Sequence, residues 1–203
     1  EMVMVSELAQ QLHLPELAVV IGRIAPEKSL EGFSQVGFPT VQTPSGSDWT
    51  MVHAIARQES EFDDYRISHA GARGFMQLMP GTAREQAGKE GIQYLSASLM
   101  EDTQYNIRLG SGYFRRMLSY YNGSYPLAVA AYNAGPGNVN KWLRANGDPR
   151  TGRVDWLTWI ESIPIFETKN YVQRVLENAV VYEAMHPELA THGQPRGVSS
   201  FLR

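Results

Sequence analysis

The sequence predicts an all-α protein with long ordered loops and at most a very small β element. Apolar residues recur at three- and four-residue intervals in most segments, and no strand-length alternation is convincing. Clusters of glycine and proline separate the helical patterns. At 203 residues, 43% of them hydrophobic and 19% charged, the chain is long enough to bury a sizeable core.

The elements follow in order. Leu8, Leu12, Leu17, Val20, Ile21 and Ile24 give a helical pattern over residues 3–26, with Pro15 as a break or a second start. Over residues 32–47 the pattern is lost among Gly37, Pro39, Pro44 and Gly46, which predicts an extended connection and a subdomain boundary. Ser47 or Asp48 can cap a helix that runs to about Phe62. Residues 68–74 read as a loop in which Gly71 and Gly74 take backbone angles other residues avoid. The next helix follows Pro80, with Thr82 and Glu85 at capping-box spacing.

A longer helix spans residues 103–121, carrying Leu109, Tyr113, Phe114, Met117 and Leu118 on one side. Gly110 and Gly112 cost that helix stability, and close approach of a neighbour would explain them. Asn122-Gly123 reads as a plain turn between helices. A short helix of small residues covers 126–133 and stops at Gly135-Pro136-Gly137; another covers 139–144 and ends at Asp148-Pro149. Trp156, Trp159 and Ile160 form a short helical piece before Pro164. The last helix, residues 168–185, buries Tyr171, Val172, Val175, Leu176, Ala179 and Tyr182, and Pro187 ends it. The expected count is about eight helices. The expected division is a helical segment with linker at 1–46, a main domain at 47–190 and a loose tail at 191–203.

Composition removes several function classes. A formal charge of −3 without a basic run argues against nucleic acid. The absence of cysteine excludes disulfides, thiol catalysis and Cys-ligated zinc. His13, His53, His69, His186 and His192 are scattered, with no pair at metal-ligand spacing, so no metal or cofactor is expected. No apolar run reaches the ~18 residues of a membrane span. The opening residues lack the basic start and apolar stretch of a signal peptide, and a chain beginning on Glu1 reads as a processed protein or a fragment.

Against this background Glu59 stands out. In ARQESEF (residues 56–62) it falls on the helical stripe of Val52, Ile55 and Ala56, the stripe a helix normally buries. A buried, unpaired carboxylate favours its neutral form and can donate a proton. The residues alone leave two other readings open: a structural acid paired with an arginine such as Arg57, or an exposed helix end. Asp63 would share Glu59's face only if the helix continued; Asp63 and Asp64 read as solvated turn acids.

Three further stretches combine oddly for a plain core. They are GARGFMQLMPGTA (71–83), AYNAGPGNV (131–139) and FETKNYV (166–172). With ARQESEF, in this order and over residues 47–185, they resemble the signature motifs of the soluble lytic transglycosylases, whose lysozyme-like domain cleaves bacterial peptidoglycan. Residues 1–46 resemble the end of the helical region that precedes that domain in larger members.

The resemblance implies a lysozyme-like fold and Glu59 as the sole catalytic acid and base. It also implies substrate-binding roles around that acid. Ser68 matches a loop serine near the acid and the sugar's 2-acetamido group. Gln77 matches a glutamine that hydrogen-bonds sugar, and Met79 a methionine of the groove floor. Tyr132 matches the tyrosine that orients the glutamate, with Asn133 beside it. Glu167 matches a groove glutamate, with Tyr171 one turn on. Taken without the resemblance, Met76 and Met79 read as core, Tyr132 as a core tyrosine, and Glu167 as a complement to a helix dipole. Lys169 stands where arginine is common in the family, which argues against a bidentate contact. Trp142, Trp156 and Trp159 read as packing.

The implied reaction cuts the β-1,4 bond between N-acetylmuramic acid and N-acetylglucosamine and closes a 1,6-anhydro ring. The implied partner is the glycan strand, and the implied location, from that substrate, is the periplasm or cell envelope. A goose-type-lysozyme-like hydrolase and a non-catalytic peptidoglycan-binding module are the alternatives.

Overall fold

The computed structural model describes Leu8, Ala9, Leu12, residues 14–27 and residues 36–203. The expected helix start at residues 3–7 and the first part of the expected linker, from Gly32, lie outside the described residues. Among the described residues the fold is helical without a strand. Its β structure is two isolated antiparallel bridges, Ile67 with Arg73 and Arg73 with Leu78. No helix among the described residues is long and apolar enough to cross a membrane. The chain groups into two compact units, Glu1–Gly110 and Ser111–Arg203.

The first unit holds α1 (Pro15–Glu27), α2 (Trp49–Glu59), α3 (Pro80–Lys89), α4 (Ser98–Glu101) and the first part of α5 (Thr103–Tyr120). Helix α1 buries Ala18, Val19 and Ile21. Helix α2 starts where Asp48 accepts a hydrogen bond from the Met51 amide at 3.1 Å, so Asp48 rather than Ser47 is the cap. The extended connection is fastened to α2 by side chains. His53, fully buried, accepts from the Val41 amide at 3.0 Å through Nε2, with its Nδ1 2.7 Å from the Trp49 carbonyl. Arg57 donates to the Gly37 carbonyl at 2.7 Å and lies 4.0 Å over the Phe38 ring.

Helix α2 ends at Glu59, one turn short of the expected Phe62. The reason is backbone conformation: Glu61 (φ 56°) and Phe62 (φ 71°) are both left-handed, a region that continues no right-handed helix. Asp63 and Asp64, expected to be solvated, are instead half-buried by the turn this creates. Burial pushes the Asp64 carboxyl above its usual range; repulsion from Asp63 and Glu16 adds to this, and a hydrogen bond with Thr103 opposes it.

Side chains satisfy the loop that follows. The Ser60 hydroxyl donates to the Phe75 carbonyl at 2.7 Å and accepts from the Phe62 amide at 3.1 Å. Asn106 of α5 accepts from the Met76 amide at 2.8 Å and donates to the Arg73 and Leu99 carbonyls at 3.0 and 2.8 Å. Gly110 lets α5 approach the Met76 side chain: a Cβ there would lie 2.5 Å from its sulfur. Helix α3 begins at Pro80 with Met79 as its uncapped N-terminal neighbour. Thr82 therefore lies inside the first turn, where it cannot close the expected capping box.

The second unit holds the rest of α5, α6 (Tyr125–Ala134), α7 (Pro136–Asn146), α8 (Trp156–Glu161), α9 (Phe166–Met185) and α10 (Val198–Phe201), with 3₁₀ turns at Pro149–Thr151 and Pro187–Leu189. Asn122 and Gly123 are both left-handed, and the Gly123 amide closes α5 on the Leu118 carbonyl at 2.8 Å. Gly135 (φ 80°) separates α6 from α7. The expected inner face of α9 is buried throughout, from Tyr171 to Tyr182, and Trp159 of α8 is fully covered.

The tail expected to be loose is docked. Arg196 pairs with Glu183 of α9 at 2.6 Å and its guanidinium lies 4.1 Å from the Phe201 ring centre; Glu183 and Phe201 are fully buried. A fully covered carboxylate requires such a partner, and Gly/Pro/Ser composition does not reveal it.

Two expected outcomes follow from this loop. A Cβ at Gly74 (φ 73°) would sit 1.8 Å from the Leu99 oxygen and 2.5 Å from Asn106 Nδ2. Gly74→Ala should therefore cost on the order of 3 kcal/mol, read from the urea midpoint. Ser60→Ala leaves the Phe75 carbonyl and the Phe62 amide without their partner and should cost about 1–3 kcal/mol by the same measurement.

Candidate functional site

In the first unit, four of the eight named residues occupy one hydrogen-bonded stretch. Glu59 is the last residue of α2 and is half-buried, three residues beyond Ala56 in the covered stripe of Val52, Ile55 and Ala56. Expected on the buried face, it instead sits at its edge, because the helix stops there. The next residue, Ser60, ties that helix end to Phe75, and so to the loop that carries the other three residues.

Ser68 opens this loop. Its backbone and hydroxyl both hold Ala72: the Ser68 amide donates to the Ala72 carbonyl, and the Ala72 amide donates to Ser68 Oγ, each at 3.0 Å. A hydroxyl that accepts in this way keeps its proton for another acceptor. Gln77 is buried and left-handed (φ 48°). Its amide nitrogen donates to the Arg66 and Gly74 carbonyls, both at 2.8 Å. That nitrogen therefore braces the loop, and the side-chain carbonyl is the end with hydrogen-bonding capacity for a ligand. Met79, at the start of α3, is 45% exposed, whereas Met76 is fully buried. Two methionines three residues apart thus divide between surface and core.

The second unit positions the other four. Tyr132 and Asn133 lie at the end of α6, where Gly135 turns the chain. The Tyr132 ring is buried with its centre 5.3 Å from that of Tyr113 and 6.3 Å from that of Phe114, which fixes the ring plane. Asn133 accepts from the buried Thr168 hydroxyl at 2.6 Å, joining the end of α6 to the start of α9. Glu167, in the first turn of α9, is exposed, and Tyr171, one turn on, is buried. Lys169 is engaged by Glu161 at 3.2 Å. Trp142 and Trp159 are buried, in keeping with packing roles.

Sequence reasoning missed the residues that hold this arrangement. Ser60, Asn106 and Thr168 touch the loop or the named residues, yet none was assigned a role. Ser60 was visible as half of a Glu-Ser pair. The other two carry no local signal for their bonds to Met76 and Asn133, which lie 30 and 35 residues away in the chain.

Comparison with known proteins agrees with the motifs. The transglycosylase SLT domain model matches residues 40–153, more than half of the chain. The soluble lytic murein transglycosylase of Escherichia coli (strain K12) is 39% identical over 130 residues, which are 64% of this chain and 20% of that protein. The solved 70 kDa soluble lytic transglycosylase from Escherichia coli has a TM-score of 0.80 and 31% identity, covering 97% of this chain and 33% of that one. An inactive mutant of the lytic transglycosylase Slt from Pseudomonas aeruginosa has a TM-score of 0.78 and 33% identity, covering 98% of this chain and 31% of that one. The chain thus spans about a fifth of that curated relative and about a third of those solved chains. With that family model matching more than half of its length, the chain belongs to the transglycosylase SLT domain family.

Proposed function

We propose that this chain is the catalytic part of a peptidoglycan lytic transglycosylase, with residues 47–190 as its catalytic domain and residues 1–46 as the end of a preceding helical region. The observation that carries the reading is Glu59 at the helix end, half-buried and braced through Ser60. Of the acids that follow it, Glu61 pairs with Arg23 and Asp63 accepts from the Tyr65 amide at 2.8 Å, while Asp64 keeps one oxygen buried without a hydrogen-bond partner in the turn. A two-carboxylate hydrolase needs a second acid to serve as nucleophile or to hold water. A single glutamate must act as both acid and base.

In this scheme protonated Glu59 gives its proton to the glycosidic oxygen between N-acetylmuramic acid and N-acetylglucosamine. The C1–O bond breaks, and the 2-acetamido oxygen of the substrate stabilises the positive charge at C1. Glu59, now a carboxylate, takes the proton of the C6 hydroxyl as O6 bonds to C1. The ring closes as a 1,6-anhydro sugar, no water is added, and Glu59 ends protonated as it began.

The named residues of the first unit support this chemistry. Ser68 offers a hydroxyl proton to the acetamido group, Gln77 a carbonyl oxygen to sugar hydroxyls and Met79 an apolar surface to a sugar face. In the second unit, Tyr132, Asn133, Glu167 and Tyr171 take the substrate-binding roles of the family motifs they match, Glu167 as an acceptor for sugar hydroxyls. Such a substrate places the enzyme in the bacterial periplasm or envelope.

Digestion of purified peptidoglycan followed by mass spectrometry tests the proposal. Fragments ending in 1,6-anhydromuramoyl groups, one water lighter than reducing ends, are expected. Reducing ends would instead mark a hydrolase, and binding without release a recognition module. Glu59→Gln should lower the rate by about 10²- to 10⁴-fold with an unchanged circular dichroism spectrum. A variant that kept its rate would remove Glu59 from the mechanism.

A further inference from the structure

Helix α1 lies outside the residues matched by the family model, yet it bears on the turn that leaves Glu59. Two consecutive residues of that turn, Glu61 and Phe62, are left-handed. This conformation is costly for any residue with a Cβ and persists only where its surroundings enforce it. Phe62 is enforced by packing. It is buried, its ring meets Phe75 edge-on at 4.9 Å, and its amide donates to Ser60 Oγ at 3.1 Å.

Glu61 has a different restraint. Its carboxylate, on a side chain only 23% exposed, is bonded by the Arg23 guanidinium from α1. Glycine would take a φ of 56° without strain, so a glutamate there requires a compensating contact. Arg23 supplies it from a helix whose inner face, Ala18, Val19 and Ile21, is buried and therefore fixed in place. The contact of Arg23 with Glu61 brings α1 against the turn.

We propose that Arg23 and Glu61 are positioning residues for Glu59: the ion pair holds the left-handed turn, and the turn fixes the direction in which the end of α2 presents its carboxylate. The role rests on the proposed activity of Glu59, but the restraint on the turn does not.

The test combines rates on peptidoglycan with hydrogen exchange of the Phe62 and Asp63 amides, whose partners are Ser60 Oγ and the Ser60 carbonyl. Because the Arg23 side chain is 60% exposed, the pair is worth the modest amount of a surface ion pair, about two- to fivefold in population. Arg23→Ala and Glu61→Gln should each lower kcat by about that factor and speed both amides similarly, with KM unchanged and the unfolding midpoint lowered by no more than a surface ion pair is worth. The charge-swapped double variant Arg23→Glu/Glu61→Arg should recover most of the loss. Glu61→Gly already lacks the pair, so adding Arg23→Ala to it should change nothing further. At high salt the parent should fall to the rate of Arg23→Ala as the pair is screened.

Unchanged kcat and exchange in Arg23→Ala would overturn the proposal, as would a swap no better than the single changes. If the parent releases no fragments, the activity reading fails, and the exchange rates alone decide whether Arg23 holds the turn.

Discussion

A partly buried loop with hardly any regular structure has to satisfy its own covered backbone, and the first unit is organised around that constraint. Helix α2 stops at Glu59, and the chain then runs through residues 60–79 with two isolated bridges as its only β pairing. Carbonyls and amides there cannot be left bare without a desolvation cost. Ser60 and Asn106 meet that need from either end. One hydroxyl serves Phe75 and Phe62, and one amide group serves Arg73, Met76 and Leu99. The glycines follow from the same constraint. Gly74 leaves room for the Asn106 amide, and Gly110 lets the helix that carries Asn106 come close.

The second unit meets its constraint with helices and rings. Helices α6 and α9 carry the four named residues there, and the Asn133–Thr168 hydrogen bond joins the end of one to the beginning of the other. Tyr132 is wedged against Tyr113 and Phe114, so its hydroxyl is presented by a ring that cannot swing freely. Gly135 then redirects the chain at the point where a longer α6 would run on.

Helices were legible because each buries one face at a regular interval. The inner face of α9 could be read directly, and so could the Asn122-Gly123 turn and the helix after Asp48. Ends were less legible. The stop at Glu59 depends on left-handed Glu61 and Phe62, residue types that do not announce that conformation. Pro80 set the start of α3 more strongly than Thr82 and Glu85, since its fixed φ suits the first helical position. The candidate site was named through motifs, whereas its supports were not. Asn106, Thr168 and Arg23 act on partners 30 or more residues away. No window short enough to show a period contains both members of such a pair.

The docked tail bears on how the chain is made. Glu183 lies inside the last long helix, but its partner Arg196 follows 13 residues later. On the ribosome, α9 is synthesised before the cation that neutralises it. A chain interrupted between the two would hold that carboxylate without Arg196 where water is excluded, which would weaken the end of α9. Intact and interrupted chains would then differ in protease resistance, and the cell's degradation machinery could tell one from the other.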